Sequence, residues 1–278
     1  MEKIIYTKFS SERKKEFAIQ TSIVEIDGVK YSRKKAMYPE ARRHIKRIAE
    51  NCDILTKIYG KEHVAQCVKV SDDEVDTEYI DGITLSKKIE ECILSNNNDR
   101  LDNYINKYIT FLKKSCSVNE KDDLNEIIVQ LDSSKRCTNI DLIFDNIIDK
   151  NGKWVIIDYE WLVPILNYKF VLYRVLHTFE ERNKYHEEIL NAIRNKNSIE
   201  YRKEYIECMN VFYALVIDSF LGKYFKTITN ENSIIRELKE ENNNIKEENI
   251  RLKNDIIAIK STRGYRLLEK VRSFVRKK

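Results

Sequence analysis

Proline and glycine are nearly missing from this 278-residue chain, which has two of the first and six of the second. So few breakers exclude collagen-like repeats, Pro/Gly-rich disordered linkers and a turn-dense β-sandwich. Histidine is almost as scarce, at four residues. The six cysteines (Cys52, Cys67, Cys92, Cys116, Cys137 and Cys208) include no CxxC pair, and no histidine joins two of them in zinc-finger spacing. A structural zinc site is therefore not expected; buried, reduced thiols in a reducing compartment are. No apolar run approaches the ~20 residues of a membrane span. The N-terminal MEKIIYTKFSSERKK lacks the apolar centre of a secretory signal. These absences lead to the expectation of a cytoplasmic chain long enough to bury a real core.

Charge of one sign is also lacking over most of the chain. The net charge is +5, but residues 261–278 hold seven Lys and Arg against one Glu. The rest carries 43 basic and 44 acidic groups. A neutral body argues against a nucleic-acid-binding surface, and no nucleic acid is expected as a partner. The basic end is a short appendage suited to something anionic.

What is present reads as a small β-rich region followed by a larger helical one. Strands are expected over 3–9, 17–26 and 29–37, the last two joined by Asp27-Gly28, a pair suited to a tight hairpin. Pro39 fits the first turn of a helix over 40–59, with Ala41, Ile45, Ile48 and Cys52 on one face. Strands over 63–70 and 75–80 follow, around the acidic tip Asp72-Asp73-Glu74. Helices are expected over 84–94, 100–115, 120–132, 167–181, 184–195 and 200–226. A hairpin over 147–149 and 154–157 interrupts them across Asn151-Gly152.

Residues 229–262 differ in character. With Ile235, Asn242, Asn249 and Ile256 at heptad position a, Leu238, Ile245, Leu252 and Ile259 fall at d. Glu241, Glu248 and Asp255 at g each precede a lysine at e (Lys246, Lys253, Lys260) by five residues. Those pairs are all attractive in a parallel two-stranded coil, and asparagine at a fixes register. A parallel homodimer through this coiled coil is expected. At ~1.5 Å per residue, residues 231–262 would form a rod of about 48 Å. Residues 263–278 read as a basic amphipathic helix, suited to an anionic membrane surface or to an acidic protein partner.

The chemistry-bearing segment runs from Thr138-Asn139-Ile140-Asp141 through Asp145-Asn146 to Ile157-Asp158-Tyr159-Glu160. Asp141 precedes Asn146 by five residues within one loop. The hairpin leaves from Asn146 and returns through an apolar strand to Asp158. An amide oxygen and a carboxylate thus meet at one end of the hairpin, where both can hold one divalent ion, with Asp141 beside them.

This layout resembles the catalytic core of the protein-kinase-like fold, in particular its aminoglycoside-phosphotransferase, choline-kinase and lipopolysaccharide-kinase branches. There the loop reads H-x-D-x-x-x-x-N and a metal-binding Asp follows one hairpin later. The resemblance implies ATP as phosphoryl donor, Mg²⁺ on Asn146 and Asp158, and Asp141 as the base that orients an acceptor hydroxyl. Asp158-Tyr159-Glu160-Trp161 is similar to the small-molecule branch, where an aromatic and then an acid follow the metal Asp. Lys34, in Tyr31-Ser32-Arg33-Lys34, matches the phosphate-binding lysine of the third strand; Lys35 stays open because strand parity is not secure. Glu40 resembles the acid that holds this lysine, with Glu50 as the alternative. Residues 78–85 resemble the hinge between lobes, so the backbone at Glu78 and Ile80 is expected to meet adenine. The implied fold class is α+β, two-lobed and kinase-like over 1–228, with an N-lobe of 1–80 and a C-lobe of 81–228.

The chain departs from that pattern in three places. Asn139 stands where the loop histidine would be. No G-x-G-x-x-G precedes the second strand, and residues 9–17 contain no glycine at all. Pro164 and a new helix follow Asp158 too soon for a peptide-docking segment, which points to a small-molecule or glycan hydroxyl. Similar domains in bacterial surface-polysaccharide systems stand beside or are fused to glycosyltransferases and methyltransferases, so the resemblance implies such a partner. A glycan or glycolipid acceptor at the inner face of the membrane would fit the dimeric coil and the basic tail of a cytoplasmic chain. The alternative is a pseudokinase, a dimeric scaffold for those enzymes. Structural roles are expected for several nearby residues: Trp154 and Trp161 in the core, His44 as a helix-surface or satisfied polar group, Cys137 as packing. Arg33, Lys34 and Lys35 have an alternative reading as a solvated edge strand. The heptad pattern predicts that light scattering of the full chain gives twice the 33.1 kDa chain mass; a concentration-independent monomer would contradict it.

Overall fold

The computed structural model describes residues 2–118, 137–182, 187–199, 203–218, 245–246, 248–256 and 258. The chain divides into two compact units, Met1–Leu221 and Gly222–Lys278. In the first, a five-stranded antiparallel sheet is built from β1 (Glu2–Phe9), β2 (Ile19–Ile26), β3 (Val29–Ala36), β4 (Cys67–Val70) and β5 (Glu74–Glu78), in the order β1-β2-β3-β5-β4. The β2–β3 turn uses Asp27 and Gly28 at φ 51° and 82°, so both central residues are left-handed, as a two-residue hairpin requires. The β3 strand is central rather than at the edge, which disposes of the solvated-edge alternative for its basic residues. Alternation along it buries Lys34 and exposes Lys35.

Helix α1 (Arg42–Tyr59) packs across this sheet. Its start differs from expectation. Pro39–Ala41 forms a 3₁₀ turn, so Glu40 precedes the α-helix and is exposed. The buried face of α1 carries His44, Ile45, Ile48, Asn51, Cys52, Leu55 and Tyr59. The strand expected from residue 63 is shorter, because Lys61–His63 is a 3₁₀ turn and Val64 pairs instead with Ile156 of the other lobe.

After residues 79–82 the chain passes through β6 (Ile83–Thr84) into α2 (Leu85–Leu94) and α3 (Asn98–Leu112). Thr84 caps α2 by accepting from the Lys87 amide at 3.2 Å. Strands β8 (Ile147–Lys150) and β9 (Lys153–Ile156) form the expected hairpin, turning at Asn151 and Gly152, and β6 completes a three-stranded sheet. Two three-residue strands, β7 (Cys137–Asn139) and β10 (Leu162–Pro164), were not expected; they pair antiparallel and bracket the hairpin. Helices α4 (Tyr168–Arg182), α5 (Glu187–Lys196) and α6 (Lys203–Val216) complete the helical lobe. The helix expected over 120–132 lies outside the described residues.

One apolar core runs through both lobes, from Ile45, Leu55 and Val75 to Leu85, Ile147, Phe170 and Leu176. Trp154 and Trp161 are buried in it, as expected, and Cys137 is a packing residue. The architecture is α+β and two-lobed, a small lobe built on the five-stranded sheet and a larger helical lobe. In the second unit the described residues are helical, with Ile245, Leu252 and Ile256 half-exposed. Asn249 donates to its own helix at Ile245 O, 2.9 Å away. Most of residues 229–262 and all of the basic tail lie outside the described residues. No described helix is long and apolar enough to cross a membrane.

The connection between lobes turns at Gly82. A Cβ added there would sit 2.5 Å from Ile148 Cγ2 and 3.1 Å from Asp149 O. Gly82→Ala is therefore expected to destabilise by about 2 kcal/mol, as overpacking does. Urea unfolding measures it, and an unchanged midpoint would show that the connection is slack.

Candidate active site

The site is assembled where β3, α1, the β1–β2 loop and the segment after β9 converge. Lys34 projects from the buried face of β3, and its ammonium donates to Asp158 Oδ1 at 2.7 Å and to Glu160 Oε1. Glu160 also accepts from Arg13 Nη1 at 2.5 Å and faces His44 Nε2 at 3.3 Å. Because Glu160 is ionised, the histidine nitrogen facing it carries the proton. Asn51, on the buried face of α1, donates to the backbone carbonyls of Tyr159 (2.7 Å) and Glu160 (3.2 Å). Helix α1 thus fixes the 158–160 segment and, through it, the lysine.

The expected ion pair between Lys34 and Glu40 is not formed. The 3₁₀ turn at Pro39 keeps Glu40 outside the helix on the surface, and Glu50 lies on the exposed side of α1. The carboxylate that holds the lysine comes from Glu160, two residues past Asp158. The inward-facing polar residue of α1 is His44, which is buried and satisfied at Nε2 rather than set on the helix surface.

Burial sets the electrostatics. It opposes the charge on Lys34, yet the carboxylates of Asp158 and Glu160 outweigh it and hold the ammonium above its ordinary pKa. Burial would push Glu160 up, but Lys34, Arg13 and His44 together hold it well below the usual carboxylate range. Burial keeps His44 below its ordinary value and neutral. Asp158 is pushed up, first by burial and then by the charges of Glu160 and Asp141, with Lys34 opposing. Glu160 is therefore the fixed anion and Asp158 the acid that gains most from a second cation.

The loop between β7 and β8 supplies the rest. Asn139 donates to Asp158 O at 3.0 Å, and its Oδ1 accepts from the Asp141 amide at 3.1 Å. It therefore ties the loop to the strand end that carries Asp158. Asn146 donates through Nδ2 to Asp141 O (2.8 Å), and its carbonyl accepts from the Ile157 amide (3.0 Å). With Nδ2 committed, Asn146 Oδ1, which makes no hydrogen bond among the described residues, is the oxygen of that amide that could coordinate a cation. Asp158 keeps 28% of its side chain exposed, and its recorded hydrogen bond is through Oδ1. A hard, all-oxygen pair such as Asn146 and Asp158 fits Mg²⁺, which binds through few protein ligands and keeps waters. Among the described residues no cluster of three or more His, Cys, Asp or Glu forms an alternative metal site.

Asp141 reaches the same region from the loop, its side chain 21% exposed. Sequence reasoning missed its partner. Arg174 of α4 donates from Nη2 to Asp141 Oδ1 at 2.6 Å and from Nε to Ile140 O at 3.1 Å. Its guanidinium is buried against Phe212 and Tyr213, with ring centroids 5.6 and 5.9 Å away. Burial opposes its charge, and Asp141 more than compensates. At the lobe connection, the Glu78 amide donates to Gln66 O, and its carboxylate accepts from the Gln66 amide. The Glu78 amide is thus spent, whereas no described hydrogen bond engages the Ile80 amide.

No protein-family model and no curated protein sequence matches the chain. Among solved structures, the streptomycin–ATP–APH(2″)-IIa ternary complex is similar at 14% identity, over 62% of this chain and 72% of that one, with a TM-score of 0.35. A macrolide 2′-phosphotransferase type I is similar at 12% identity, over 77% and 86%, with a TM-score of 0.39. A Plasmodium vivax ethanolamine kinase is similar at 14% identity, over 75% of each chain, with a TM-score of 0.37.

Removing the Glu160 charge leaves two buried cations and a histidine N–H facing a neutral amide. Glu160→Gln is expected to cost about 3 kcal/mol, the lower end for breaking a buried ion pair. The exposed Glu40→Gln should stay within about 0.5 kcal/mol of wild type. Denaturant titration of both variants tests the assignment; the reverse ranking would restore Glu40 as the partner of Lys34.

Proposed function

We propose that this chain is an ATP-dependent phosphotransferase acting on a hydroxyl of a small molecule or glycan. The observation that carries this reading is the Lys34–Asp158 ion pair, which joins β3 to the segment after β9, with Asp141 within Coulombic reach of Asp158 and Asn146 Nδ2 bound to Asp141 O.

Phosphoryl transfer asks for positioning and charge neutralisation more than for covalent chemistry. In the proposed reaction the acceptor oxygen forms a bond to the γ-phosphorus, and the bond from that phosphorus to the β,γ-bridging oxygen breaks. The hydroxyl proton passes to Asp141, and ADP leaves. Asp141 suits this role because Arg174 holds Oδ1, which leaves Oδ2 to face the hydroxyl. Lys34 would move its hydrogen bond from Asp158 to the non-transferred phosphates while keeping its bond to Glu160. A Mg²⁺ bound by Asn146 and Asp158 would supply further neutralisation of the phosphate oxygens. The Ile80 amide is the group left to meet adenine.

The short path after Asp158 supports a small acceptor. β10 begins at Leu162 and α4 at Tyr168, so no extended segment exists there to bind a peptide. Surface-polysaccharide biosynthesis is the setting we favour, with two copies joined through the heptads of 229–262. The tail, 263–278, would face an anionic membrane surface or a glycosyltransferase or methyltransferase partner.

A second reading, an inactive scaffold, has one observation in its favour. Each acid of the site has a basic partner within the chain: Asp141 with Arg174, Asp158 with Lys34, Glu160 with Arg13. The two readings separate on variants. Asp158→Asn is expected to abolish Mg²⁺-dependent binding of an ATP analogue in calorimetry. Asp141→Asn is expected to retain binding and lower ATP turnover by ~10²–10⁴-fold, the usual worth of a positioned base. A wild-type chain that ignores nucleotide would leave the scaffold.

A further inference from the structure

The β1–β2 loop, residues 10–16, is built differently from a glycine-rich phosphate loop, and it carries a second basic side chain into the site. Its backbone docks on the end of α6. The Lys14 amide donates to Val216 O (2.9 Å), the Asp218 amide donates to Glu12 O (3.0 Å), and Arg13 and Ile217 form an antiparallel bridge. Lys14 Nζ adds a bond to Ala214 O at 2.7 Å. Within and beside the loop, the amides of Ser10, Arg13 and Phe17 donate to Ile19 O, Ser10 O and Lys14 O. Those amides are spent within the protein, and the loop has no glycine to let its backbone close on phosphate oxygens.

The side chain of Arg13 replaces what the backbone withholds. It packs with its guanidinium carbon 5.5 Å from the Trp161 ring centroid and is only 19% exposed. All its recorded hydrogen bonds leave from Nη1, to Glu160 Oε2 (2.5 Å) and Phe17 O (3.5 Å). The Nε and Nη2 donors make none among the described residues. Asp158 and Asp141, the proposed metal ligand and base, both lie within Coulombic reach of the guanidinium. A buried arginine held at one nitrogen, with two donors that make no described hydrogen bond, matches the planar fork that binds phosphate oxygens.

We infer that Arg13 is a catalytic residue that contacts the terminal phosphoryl group of ATP, anchored on Glu160 and presented by a loop latched to the helical lobe. The inference rests on the phosphotransferase reading and adds to it the group that neutralises the transferred phosphate in cis. Arg13 belongs to the β-rich lobe by sequence and to the helical lobe by its backbone pairing. Its guanidinium is thereby fixed relative to Asp141 rather than moving with the sheet.

The test compares two nucleotides on the same protein. Calorimetry measures Mg·ADP and a non-hydrolysable Mg·ATP analogue binding to the full chain and to Arg13→Gln. The variant is expected to bind the ATP analogue about tenfold more weakly, the worth of one charge-assisted contact, while ADP affinity stays within about threefold. Arg13→Lys, which keeps a charge for Glu160, gives the same comparison should the glutamine variant unfold, with the same selective loss expected. Equal weakening for both nucleotides would show that Arg13 only braces Glu160. No weakening for either would show that it does not meet the ligand. Either result overturns the inference while leaving the phosphotransferase reading intact. A wild-type chain that binds neither nucleotide overturns both.

Discussion

The buried carboxylate of Glu160 is the constraint on which the rest of the site depends. Three elements distant in sequence bring a donor to it: Arg13 from the β1–β2 loop, Lys34 from β3 and His44 from α1. Burying ions costs several kcal/mol apiece, and only complete pairing and hydrogen bonding offsets that. Each lobe therefore fixes the other. If α1 or the loop shifts, the carboxylate loses a donor, and the lysine loses its fixed end. The stored electrostatics also divide the labour between neighbouring acids. Glu160 is held firmly ionised, whereas Asp158 shares its cation and faces two other carboxylates. Of the two, Asp158 is the one with reason to accept a metal.

The same economy governs the loop between β7 and β8. Asn139 takes the position of the histidine expected there and makes two bonds, one to Asp158 O and one from the Asp141 amide. An amide suffices because the task is to join two backbone segments. Asn146 then donates to Asp141 O, and Arg174 holds the Asp141 carboxylate from α4. Asp141, Asp158 and Lys34 are each restrained by a polar partner: Arg174, Asn139 (at the Asp158 carbonyl) and Glu160. Short strands β7 and β10 carry the two ends of this arrangement and pair Asn139 with Leu162.

Much of this was legible in the residues, and the remainder was hidden for identifiable reasons. Hairpins at Asp27-Gly28 and Asn151-Gly152 announced themselves through turn chemistry. The spacing of Asp141, Asn146 and Asp158 was readable because all three lie on one loop and one hairpin, whose local pairing sets Asn146 O against the Ile157 amide next to Asp158. Glu160 was visible only as an acid after an aromatic; its bond to Lys34 spans 126 positions, and no periodicity encodes such a contact. Glu40 misled because a proline at residue 39 suits a helix start, while the chain first makes a 3₁₀ turn. A signal for His44 did exist: with Ile48, Asn51 and Leu55 it falls on one helical stripe, the stripe that the structure buries. Arg13 lay in a loop without pattern, and nothing local could show that residues 12–14 pair with residues 216–218. Arg174 was masked in the same way, inside an amphipathic helix with a weak polar stripe.

The central claim is that Glu160 keeps Lys34 in place so that Asp158 is released to a metal when nucleotide binds. A crystal structure of the full chain with Mg²⁺ and a non-hydrolysable ATP analogue measures this most directly. The account predicts Lys34 Nζ on phosphate oxygens and still on Glu160, with the metal on Asn146 Oδ1 and Asp158. A lysine still bound to Asp158, with saturating nucleotide absent from the junction between lobes, would contradict it.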